Sequence, residues 1–75
     1  MFKINRYRYI DKDSGLSFVI YARHIDTAYK IVELVNNTYG YKLHKKRMFF
    51  VKQIYVDVPP YELEQMQLDS LVNKQ

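Results

Sequence analysis

The segment Leu16–His24, read with Phe2–Asp11, constrains this chain more than any other feature. Leu16, Phe18, Ile20 and Ala22 fall on one side of an extended chain, and Ser17, Val19, Tyr21 and Arg23 on the other. That alternation is the period of a half-buried strand. Lys12-Asp13-Ser14-Gly15 has turn composition, and the residues before it are rich in Tyr, Ile and Arg, so the two runs predict a β-hairpin. Loop length then sets the register. A four-residue loop pairs Asp11 with Leu16, Tyr9 with Phe18 and Tyr7 with Ile20. It leaves Arg8 opposite Val19 and Arg6 opposite Tyr21 on the outer face. A three-residue loop would drive both arginines into the core, where an unpaired charge is costly. Phe2 and Ile4 then face outward unless a bulge near Asn5 turns them in.

Asp26-Thr27 supplies candidate N-caps, and Ala28, Ile31, Val32 and Val35 recur at helical spacing. Gly40 stands where a left-handed residue ends a helix, which sets the first helix at 27–39, with Tyr41 folding back on Val35. Met48 to Val58 is β-branched and aromatic and reads as a long strand, bulged near Lys52-Gln53 and ended by Pro59-Pro60. Pro60 suits the first position of a second helix reaching Asn73. The apolar positions of that helix (Leu63, Met66, Leu68, Leu71, Val72) form an imperfect stripe, and Asp69 is a candidate cap for a separate last turn. The resulting fold is α+β, in the order β-β-α-β-α. Its three-stranded antiparallel sheet has order 2-1-3, with one helix on one face and a second helix at the C-terminus. The other face is bare unless that helix or a second copy covers it.

With 75 residues, one small domain is expected over 1–75, with 59–75 as an acidic helical segment. Zero Cys excludes disulfides and removes the usual thiolate zinc sites. The longest apolar run, Phe18 to Ala22, is far short of a membrane span, and charges interrupt the first residues. The expected address is the cytoplasm, with no membrane partner. The low Gly and high Tyr, Lys and Asn content suits a bacterial or phage protein.

Charge is uneven. Residues 1–56 hold eleven Lys or Arg against four Asp or Glu, a net +7, and residues 57–75 hold one Lys against four acids, a net −3. A basic body suits an acidic partner. Lys42, Lys45, Lys46 and Arg47 cluster in six residues, and Arg6 and Arg8 share the outer sheet face with Tyr21. Cations interleaved with aromatic rings can clamp phosphates and stack bases. These six cations are the candidate nucleic-acid-binding residues. A solvated loop, with arginines that keep an open sheet face soluble, is the plainer description of the same residues. Val19, Tyr21 and Arg23 on that face equally suit a protein interface or homodimer.

Catalysis finds little support. No nucleophile triad, glycine-rich phosphate loop or carboxylate pair is present. Glu62 and Glu64, two apart near Pro60, are read as favouring the helix N-terminus. His44, Arg47 and Tyr55 would make a small ribonuclease-like set only if they converged. His24 and His44 lack metal-spaced neighbours, and His24 reads as a turn residue bonding locally. No cofactor, metal or small-molecule substrate is indicated.

Over residues 5–38, the Arg6-Tyr7-Arg8-Tyr9 hairpin followed by Asp26-Thr27-Ala28 resembles the small sheet-plus-helix DNA-binding modules of phage-type integrases. Those modules place three strands before the helix where this chain shows two, no motif specific to them is present, and no functional residue carries across. The expectation is a non-enzymatic binding module that holds nucleic acid through a basic sheet face and loop. The alternative is a protein-interaction module or homodimer, such as a phage or bacterial accessory or inhibitor protein.

Overall fold

The computed structural model describes residues 1–72. Its order is β1 (Phe2–Asp11), β2 (Leu16–Ala22), α1 (Ile25–Tyr39), a 3-10 turn (Lys45–Arg47), β3 (Met48–Val56) and α2 (Pro60–Val72). The strands form one antiparallel sheet in the order β2-β1-β3. The expected reach of the second helix to Asn73 lies outside the described residues.

The hairpin register is the one that keeps the arginines out of the core. Asp11 pairs with Leu16, Tyr9 with Phe18, Tyr7 with Ile20, Arg8 with Val19 and Arg6 with Tyr21. Gly15 closes the turn at φ 75, and its N–H donates to the Asp11 carbonyl at 2.9 Å. The inward set Tyr7, Tyr9, Ile20 and Ala22 packs with Ala28, Ile31, Val32 and Val35 of α1, and with Leu43 and Met48.

Helix α1 begins two residues before the sequence expectation, and neither Asp26 nor Thr27 caps it. The His24 carbonyl accepts from the N–H groups of Thr27 (3.2 Å) and Ala28 (3.3 Å), and His24 makes no side-chain cap bond. The earlier start puts Asp26 in the first turn, where its carboxylate favours the positive end of the helix dipole. Gly40 ends the helix as expected, left-handed at φ 75, donating to the Asn36 carbonyl at 2.9 Å.

The bulge in β3 lies one residue before the expected place. The partner of Arg6 is Lys52 and that of Tyr7 is Phe50, so Val51 is the extra residue. Without this shift Phe49, not Met48, would face inward opposite Tyr9. Residues 41–44 add no strand. Instead the Asn36 side-chain amide pairs with the Leu43 backbone, accepting its N–H at 2.8 Å and donating to its carbonyl at 3.0 Å.

Helix α2 runs unbroken to Val72, and the Asp69 carboxylate accepts from Gln65 within it at 3.0 Å, so Asp69 opens no separate turn. The helix packs against β2, β1 and α1. Ile4 keeps the outward parity of Arg6, with no β1 bulge against β2, yet it is 1% exposed and lies outside the main core.

Tyr9 ties the layers together. Its ring stacks on Phe18 at 5.1 Å, and its hydroxyl donates to Asp11 Oδ2 at 3.2 Å while accepting the His44 N–H at 3.1 Å. Tyr9→Phe keeps the ring and removes both bonds, so urea unfolding is expected to show a loss of about 1–2 kcal/mol. Unchanged stability would show that the hydroxyl contributes nothing to the fold.

Candidate functional site

The predicted cations fall into two groups on opposite sides of the sheet. Arg6 and Arg8 stand on the outer face. The 42–47 segment lies on the α1 side, because Leu43 enters the core there and Lys45 reaches Glu33 of α1.

Within that segment two of the four cations, Lys45 and Arg47, are paired with carboxylates. Arg47 Nη1 holds Asp11 Oδ1 at 2.9 Å, and its Nη2 holds Asp13 Oδ2 at 3.2 Å. Asp11 is itself buried. Burial alone would raise its pKa, but the Asp13 N–H, Arg47 and the Tyr9 hydroxyl outweigh burial and hold it below the ordinary carboxylate value. Lys45 pairs with Glu33 at 3.2 Å and sits over the Tyr29 ring at 5.5 Å. Lys42 and Lys46 make no ion pair among the described residues.

The outer face is different. Side-chain parity puts Phe2, Ile4, Arg6, Arg8 and Ile10 of β1 on it, beside Ser17, Val19 and Tyr21 of β2 and Phe49, Lys52, Ile54 and Val56 of β3. No Asp or Glu is among these strand positions. Arg6 lies between Tyr21 and Lys52, and Arg8 between Val19 and Phe49. The Arg6 guanidinium sits 5.5 Å from the centre of the Tyr21 ring, and its Nε is buried with no hydrogen-bond partner. Arg8 and Lys52 are exposed, as are Val19 (43%) and Phe49 (45%). Lys52 and Phe49 were not reached from sequence, because their parity depends on where β3 bulges.

Of the three candidate interface residues, Val19 and Arg23 are exposed, but Arg23 is already paired. Tyr21 is half-buried beneath Arg6, and both of its backbone groups are taken by the Gln67 side-chain amide. Gln67 accepts the Tyr21 N–H at 2.8 Å and donates to its carbonyl. Arg23 is held by Glu64, which accepts from its backbone N–H (2.8 Å), Nη2 (2.9 Å) and Nε (3.3 Å). Glu64 thus does more than sit near the helix N-terminus; Glu62 remains exposed in the first turn.

Glu64 is buried, which alone would raise its pKa, but the bonds to Arg23 and the charges of Arg23 and His24 outweigh burial and hold it below the ordinary value of 4.5. A depressed folded pKa stabilises the fold at pH values above the unfolded one. Stability is therefore expected to be flat above about pH 5 and to fall as Glu64 and Asp11 protonate through their lowered pKa values. Urea midpoints measured from pH 7 to pH 3 check this, and Glu64→Gln is expected to reduce the acid slope.

The ribonuclease-like set does not assemble. Met48, next to Arg47, pairs with Tyr9, while Tyr55 pairs with Lys3 at the other end of β1, about 20 Å away at strand rise. Among the described residues no cluster of three or more His, Cys, Asp or Glu could hold a metal, and no helix is long and apolar enough to cross a membrane. Comparison with protein-family models, curated proteins and solved structures gives no match.

Proposed function

We propose that this chain is a non-catalytic binding module that holds single-stranded nucleic acid across the outer sheet face. The carrying observation is a strand face that bears Arg6, Arg8 and Lys52 and no carboxylate. The cations meet phosphates, and the exposed Phe49 ring beside Arg8 offers a surface on which an unstacked base can lie. Duplex DNA presents no such base, so single strands are the preferred form. The 42–47 segment is not part of this surface; Lys42 and Lys46 contribute only long-range attraction.

Fluorescence anisotropy with labelled single-stranded RNA and DNA and with a duplex tests the proposal. With three phosphates neutralised, log K is expected to fall against log salt with a slope of about −2. No binding tighter than millimolar at low salt would sink it.

A second reading is favoured by the apolar exposure of Phe49, Phe50, Val51 and Tyr55 along β3, which suits a protein partner or a second copy. Light scattering and a salt titration separate the two, because an apolar interface is nearly indifferent to ionic strength.

A further inference from the structure

The free edge of β2 carries a second surface, independent of the outer-face cations. Gln67 bonds both backbone groups of Tyr21 from the side away from β1. In an antiparallel ladder that outward orientation recurs at every second residue. Val19 and Ser17 therefore turn their N–H and C=O groups to the same edge, and among the described residues no side chain or loop bonds them there. Both residues are exposed. Alongside runs an open groove of about 750 Å³ between β2, α1 and α2, walled in part by Phe18, Val35, Tyr39, Met66 and Leu71. Among the described residues no charged side chain lines it.

We propose that this edge receives an extended peptide of another protein as a fourth strand, with alternate apolar side chains entering the groove. The backbone groups of Ser17 and Val19 recur at strand spacing, which a peptide backbone matches and a small apolar molecule does not. The uncharged lining selects apolar side chains at the inward positions. Gln67 and Glu64 already make strand-like bonds to Tyr21 and Arg23, and the incoming strand continues that row. The turn before Leu16 and α2 beyond Val19 limit the added strand to about four residues, so affinity is modest, with Kd of about 100 μM.

The test uses the full chain, labelled with ¹⁵N, and blocked heptapeptides that alternate threonine with valine, leucine or phenylalanine. At least one peptide is expected to shift the amides of Ser17, Val19 and the groove residues. N-methylation of its alternate amides should abolish binding in one frame and spare it in the other. Val19→Pro removes an edge donor that β1 does not use and should weaken binding about tenfold. Met66→Asp, on an exposed wall of the groove, should do likewise and serves if the proline variant does not fold. No shift with any peptide at millimolar concentration overturns the proposal. So does binding indifferent to both N-methylation frames, which marks a small-molecule pocket, or self-association through this edge, which marks a second copy.

Discussion

Replacing Glu64 and Gln67 together with alanine is expected to lower the unfolding midpoint by about 15–25 °C. These two side chains hold α2 on the edge of β2, through the backbone N–H of Arg23 and both backbone groups of Tyr21. Two neutral bonds at about 1 kcal/mol each and one charge-assisted bond at about 1.5 kcal/mol sum to roughly 3–4 kcal/mol. The Arg23 side-chain pair adds little, because that guanidinium is half exposed. Against the 5–10 kcal/mol or so that a domain of this size commands, the loss is a large fraction. Single variants should each show part of it. A midpoint moved by less than about 5 °C would show that Leu68 and Leu71, which pack on the core, hold α2 without the polar pair.

The triple variant Arg6→Ala, Arg8→Ala, Lys52→Ala is expected to weaken single-strand binding about a hundredfold at low salt, at roughly a factor of five per lost phosphate contact. The salt slope should flatten toward zero at the same time. The pair Lys42→Ala, Lys46→Ala removes nearly as much charge from the α1 side and is expected to change affinity by about twofold or less. Net charge alone predicts comparable losses from the two sets; a defined face predicts the asymmetry. Arg6→Ala also uncovers Tyr21, so Arg8→Ala with Lys52→Ala is the cleaner pair for affinity, since both side chains are exposed.

The parity of Leu16–Ala22 and the cost of burying Arg6 and Arg8 were enough to place the hairpin, because one register satisfied both. Gly40 and the spacing of Ala28, Ile31, Val32 and Val35 placed α1 for the same reason: local chemistry and burial agreed. The β3 bulge falls at Val51 rather than at Lys52-Gln53 because it answers to Tyr9 and Met48 across the sheet, not to its own neighbours. The pairing of Arg47 with Asp11 joins residues 36 apart in the chain, and nothing local distinguishes Arg47 from Lys46. Helix α2 looked irregular because the side facing β2 is polar. Glu64 and Gln67, three apart, share that side and bond backbone, so the contact leaves no apolar stripe in the sequence.

Amide chemical-shift mapping with a short single-stranded oligonucleotide tests the proposed face most directly. Shifts are expected to cluster at Arg6, Arg8, Val19, Phe49 and Lys52, with the 42–47 segment nearly still. Shifts confined to Lys42–Arg47, or none at millimolar oligonucleotide and low salt, would contradict it.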